Sequence, residues 1–76
     1  MTAIVSATSL RGWDVYDRSG AKLGAIEDFI LSWDLARIEY ALVGAPYKRG
    51  GGVPVPLPFL QLDSENHCFV FLVADD

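Results

Sequence analysis

His67 and Cys68 stand side by side near the end of the chain, an imidazole next to the only thiol present. These are the residue types of a metal site or of thiol chemistry, where a neighbouring imidazole favours the thiolate. Consecutive residues of a strand point to opposite faces, however, and no second histidine or cysteine exists to complete a ligand set. The expected state is a buried thiol beside a surface imidazole, with no metal and no cofactor. Serine, histidine and aspartate are all available for hydroxyl nucleophile chemistry. Yet the chain lacks a nucleophile elbow, and a domain this small leaves little room for a substrate pocket, so no catalytic residue is assigned.

The run Lys48-Arg49-Gly50-Gly51-Gly52 places two cations beside three glycines, whose backbone amides could face an anion or a phosphate. Lys48, Arg49, Gly50 and Gly51 are therefore a weak candidate anion contact. The run lacks the strand-to-helix setting and the Lys-Ser/Thr ending of a phosphate-binding loop, and a flexible connection is the favoured reading. The acidic pairs Glu27-Asp28 and Asp75-Asp76 lie far apart and are expected in solvent, unless Asp28 accepts backbone hydrogen bonds at a bend. Large aromatics bury much area at little entropic cost, so Trp33, at a strand end beside a turn, and Tyr47 are the candidate partner contacts. Trp13 is assigned to the core.

Those side chains need a frame, and size bounds it. A chain of 76 residues fits one domain, whose buried surface only narrowly outweighs chain entropy. Stability must come from a dense core or from a partner. Hydrophobic residues make up 51% of the chain and the formal net charge is -4, which disfavours a general nucleic-acid surface. One cysteine excludes an internal disulfide, and a cytosolic setting is the simplest expectation. No apolar run approaches the roughly 18 to 20 residues of a spanning helix, and the N-terminal segment lacks the pattern of a signal peptide. Peripheral docking on a membrane protein stays open.

Turn signals recur at short intervals with strand-length apolar segments between them, the rhythm of an all-β domain. Trp13 to Tyr16 reads as the first strand, and Asp17-Arg18-Ser19-Gly20 as a turn in which Gly20 takes a positive φ. Leu23 to Trp33 is long enough to require a bend or bulge at Gly24 or at Glu27-Asp28. A helix also satisfies its spacing, but Gly24, the turn at Asp34 to Arg37 and the strand-like segment beyond favour a second hairpin. In that next strand Ile38, Tyr40, Leu42 and Gly44 share one face, and Glu39, Ala41 and Val43 the other. The first is the bulkier apolar face.

In Val53-Pro54-Val55-Pro56-Leu57-Pro58-Phe59-Leu60 every second residue lacks a backbone donor. Backbone polar groups of successive strand residues point to opposite sides, so all three missing donors fall along one edge. Such a strand can pair well on one side only. Its side chains follow the same parity, which predicts an inward row of Val53, Val55, Leu57 and Phe59. Leu60 to Leu62 reads as a short 3₁₀ turn, Asp63 to Asn66 as a polar turn, and His67 to Val73 as a last buried strand. About five or six short, mostly antiparallel strands imply a small barrel or a strongly curled sheet.

At this point the residues resemble the PRC-barrel family, the small β-barrel also seen in the photosynthetic reaction-centre H subunit and in a ribosome maturation factor. Leu10 and Gly12 fit its L-x-G entry, Gly20, Leu23 and Gly24 its G-x-x-L-G turn and bend, and Asp28 the acidic position after that bend. Arg37, Ile38 and Tyr40 fit G-R-I-x-Y, and Val55-Pro56 the V-P step. The likeness spans about residues 6 to 73 within a single domain, 1–76. Two positions depart from it: Ala36 replaces the usual turn glycine, suggesting a turn without positive φ, and Leu57 stands where tryptophan is common, which puts a partner contact relying on that tryptophan in question.

The resemblance implies an all-β PRC-type barrel acting as a non-enzymatic interaction or assembly module with protein partners, and the high apolar fraction makes a homodimer the expected assembly. The alternatives are a small anion- or nucleotide-sensing module using the Lys48 to Gly52 loop, and a ribosome-assembly adaptor. No direct nucleic-acid contact is expected.

Overall fold

The computed structural model describes residues 4–45 and 52–72. A four-residue helix α1, Ala7–Leu10, leads into strands β1 (Asp14–Tyr16), β2 (Lys22–Ser32), β3 (Arg37–Gly44) and β4 (Val53–Pro56). A 3₁₀ turn, Leu57–Phe59, then joins β4 to β5 (Leu60–Asp63), and β6 (Cys68–Phe71) follows. The six strands form one curled sheet in the order β4-β3-β2-β1-β6-β5, a half-barrel. Only the β1–β6 pairing is parallel.

Local chemistry accounts for the turns. Asp17 accepts hydrogen bonds from the Ser19 hydroxyl (2.6 Å) and from the amides of Ser19 and Ala21 (both 2.9 Å), while Gly20 takes φ 93°. This aspartate-built turn sets up the β1–β2 hairpin. Asp63 plays the same part before β6, accepting from the Asn66 amide (3.2 Å) and the Asn66 side chain (2.8 Å).

Strand β2 is bulged at the expected place. Ile26 lies opposite Val43 and Asp28 opposite Leu42, so Glu27 is the extra residue. A second bulge sits in β3, where Ile30 pairs with Tyr40 and Leu31 with Ile38, leaving Glu39 extra. Each extra residue reverses side-chain parity. Hence Ile26 and Phe29, three apart, both serve the core, and so do Ile38, which lines an apolar hollow with Leu10 and Phe29, and Ala41. Ala41 and Val43 are buried and Tyr40 is exposed, so the bulkier face of β3 is not the one that is sealed.

The core proper is Leu10, Val15, Ile26, Ala41, Val43 and Phe69, with Trp13, Phe29, Val55, Leu57, Leu60 and Leu62 packed against it. Ile26 and Val15 are its largest fully buried side chains. Burying each stabilises the fold by about 1.5–3 kcal/mol.

The proline segment is corrected in part. Its strand ends at Pro56; Leu57–Phe59 is the 3₁₀ turn, and the expected 3₁₀ segment at Leu60–Leu62 is strand β5 instead. Pro58 sits in the first turn of a helix, where an amide has no intrahelical partner to lose. The turn takes Phe59 out of the inner row, while Val55 and Leu57 pack on the core and Val53, at the start of the strand, is exposed. As expected, β4 is an edge strand paired only with β3. With Pro54 and Pro56 unable to donate, Val53 and Val55 supply the donors of that ladder.

Ala36 differs from expectation as well, since it takes φ 52°. The hairpin demands it: Ala36 N–H donates to Trp33 O (3.2 Å), and the residue closing such a turn must be left-handed to rejoin the ladder. His67 also has a positive φ, 53°, and belongs to the turn before β6, not to the strand. Val73, expected at the end of that strand, lies outside the described residues.

Candidate functional site

Strands β2 and β3 run 11 and 8 residues, while their lateral neighbours β1 and β4 run 3 and 4. β1 pairs with β2 only as far as Ala25, and two further backbone bonds, Gly12 N–H to Ile26 O (2.8 Å) and Ile26 N–H to Trp13 O (2.9 Å), end the lateral contact. β4 reaches β3 only from Val43 back to Tyr40. Among the described residues, Phe29 to Ser32 and Arg37 to Glu39 therefore pair with each other and with no third strand. They form an arm projecting from the half-barrel.

The arm carries apolar side chains that it does not bury. Trp33 is 84% exposed, Leu35, Leu31 and Ile30 are exposed too, and so is Tyr40 where the arm meets β4. A two-stranded ribbon is marginal in water without a face to pack against. Polar bonds tie its tip: Leu35 N–H donates to Ser32 Oγ (3.3 Å), and Arg37 Nε meets Glu39 Oε1 at 2.8 Å across the bulge. Both of the latter groups are solvated, so the ion pair adds only about 0–1 kcal/mol.

At the root of the arm Arg11 Nε donates to Glu27 O (3.0 Å), and Asp28 Oδ1 accepts the Phe29 amide at 2.7 Å. Asp28 thus acts as a backbone acceptor at the bend, as the sequence allowed. Glu27 and Asp28 are both exposed.

The remaining candidates are dispersed. His67 sets its ring edge-on to Trp13 at 5.0 Å, while Cys68 lies buried in β6. Burial pushes the Cys68 thiol up from its ordinary value, and the nearby Asp63 and Asp14 charges push the same way. That is opposite to a reactive thiolate. Among the described residues no group of three or more His, Cys, Asp or Glu side chains could hold a metal ion. No helix among them is long and apolar enough to cross a membrane. Trp13 is half-buried against the core, as its type suggested. Tyr47, Lys48, Arg49, Gly50, Gly51 and the pair Asp75-Asp76 lie outside the described residues.

Two hollows, of about 260 and 210 Å³, flank Leu60 inside the curl of the sheet. Every described residue lining them is apolar, so those residues offer shape and hydrophobic surface but no side chain able to move a proton. Of the contact residues expected from the sequence, Trp33 sits on the arm's exposed tip, while Tyr47 is outside the described residues. Ile30, Leu31 and Leu35 share that arm, with Tyr40 at its root, without having stood out in the sequence, where the available signal was that the long hairpin outruns its neighbours.

Comparison with family models matches residues 3–72 to the PRC-barrel domain. Comparison with curated proteins found no match.

Proposed function

The chain belongs to the PRC-barrel family, and from that premise we propose that it is a non-enzymatic interaction module that assembles by self-association through the β2–β3 arm. One observation carries this reading: Trp33 is 84% exposed at the tip of a ribbon on which Ile30, Leu31 and Leu35 are exposed as well. Exposed apolar surface of this kind marks interaction sites on proteins that otherwise bury it. A tryptophan at the centre of a contact commonly accounts for about 2 kcal/mol or more of the binding energy, roughly a thirtyfold change in affinity.

Light scattering across a concentration series tests it. The expected result is a mass that rises to that of a dimer, with Trp33→Ala shifting the midpoint by roughly thirtyfold. In a Trp13→Phe background Trp33 fluorescence should move to shorter wavelength on association. A mass that stays monomeric at every concentration sinks the reading.

A further inference from the structure

Among the described residues the fold leaves four strand edges open, and it treats them differently; that of β3, Arg37 to Glu39, is charged and bulged. β4 presents Pro54 and Pro56, so its free edge has carbonyls without amide donors. β5 is four residues long, and its last residue, Asp63, has its carboxylate committed to Asn66. The distal edge of β2, Phe29-Ile30-Leu31-Ser32, has no proline, no charge and no bulge of its own. Proteins ordinarily defend an apolar edge against pairing with another chain, and among the described residues this one is screened only at Phe29, whose N–H meets the Asp28 carboxylate.

We propose that β2 pairs antiparallel with β2 of a second copy about a two-fold axis through Ile30, joining two half-barrels into one continuous sheet. This rests on the self-association reading and specifies its geometry. Because Phe29 N–H turns to the Asp28 carboxylate and not to β3, the amides of Phe29 and Leu31 face the open edge and that of Ile30 faces β3. Faces match across an antiparallel pair only when the axis passes through a residue.

Centred on Ile30, Phe29 lies opposite Leu31 of the second copy on one face, and the two Ile30 side chains meet on the other. Asp28 then lies opposite Ser32 of the second copy, in the same cross-strand row as Arg37, which pairs with Ser32 on β3. Phe29 N–H exchanges the Asp28 carboxylate for a carbonyl of the second copy, and the carboxylate turns toward that guanidinium. An axis through Leu31 would instead set Asp28 against Asp34 of the second copy, and like charges directly opposite are destabilising. A chain of net charge -4 repels its own copy, so an uncharged segment whose neighbouring row holds Arg37, itself paired with Glu39, is where self-pairing meets least resistance.

The pair at Ile30 has its backbone groups turned away from the new ladder, the arrangement in which opposed side chains approach most closely. Ile30→Cys should therefore form a covalent dimer on mild oxidation and revert under reductant. Wild type, whose only thiol is the buried Cys68, should not. Ile30→Lys places two ammonium groups in opposition on an exposed face. It should weaken the dimer about tenfold or more while the dilute protein keeps its circular dichroism spectrum. If wild type dimerises but Ile30→Cys gives no covalent dimer, the β2 edge is not the contact, although self-association stands; the cysteine result decides this whether or not Ile30→Lys folds. A wild type that is monomeric throughout overturns both.

Discussion

At Ala36 a methyl group occupies a left-handed backbone position, and this is the most direct residue-scale test of the hairpin geometry. With φ at 52° the side chain crowds its own carbonyl, a cost of about 1–2 kcal/mol that glycine avoids but partly returns through its freer unfolded chain. Ala36→Gly should stabilise the protein by about 0.5–1 kcal/mol in urea denaturation; a loss of stability would contradict the left-handed turn. Gly24 is the reverse case, since a Cβ there would overlap the Gly44 carbonyl, so close backbone approach and not a turn requires it.

Acid sensitivity is also local. The Ser19 hydroxyl and then the Ala21 amide hold the Asp17 carboxyl below its usual range, and the Asn66 side chain and amide do so for Asp63. A depressed folded pKa means the unfolded chain binds the proton more readily. The contribution is complete above the ordinary aspartate value, about 3.9, and is lost as pH falls through the folded one. Melting temperature should drop below about pH 4, and Asp17→Asn should flatten part of that drop. An unchanged acid slope would show that the turn bonds contribute nothing.

At the scale of the element, the proline strand and the β2 arm are opposite solutions to one problem. Prolines at 54 and 56 disarm an edge without disturbing the ladder on the other side, because the lost donors share one parity. Pro54→Ala with Pro56→Ala should restore two donors to open space and leave the fold intact. The expected outcome is larger aggregates by light scattering than wild type forms at equal concentration. If the double variant scatters no more than wild type, the prolines are not protecting the edge. The alternation that made this device readable failed three residues later, where Pro58 enters a 3₁₀ turn and Phe59 leaves the inner row. It failed in β3 too, because the Glu39 bulge moves the core row from Ile38 to Ala41 and Val43.

For the whole molecule the core is thin. A chain of 76 residues has a stability of roughly 4–11 kcal/mol, and only a few side chains are sealed from water. Ile26, 2% exposed at the centre of that core, makes a sharp test. Ile26→Ala should cost about 2–5 kcal/mol, a large share of that stability, read as a lower urea midpoint. A measured loss under about 1 kcal/mol would mean that stability resides elsewhere, in a partner contact. The curl of the sheet also places its two terminal edges on consecutive strands, β4 and β5, with the apolar hollows beside Leu60 between them.

The amino-acid sequence by itself determined whatever depends on a residue and its near neighbours. Prolines of one parity lack donors wherever they are placed, Asp17 to Gly20 close a turn, and a strand as long as β2 must bulge near Glu27. Tertiary structure alone decided which faces are buried and where β2 loses its neighbour. Side-chain parity is counted from bulges whose position depends on the partner strand, and an edge is open only if β1 and β4 stop short of it. Those are properties of pairing between distant segments, and no window of sequence contains them.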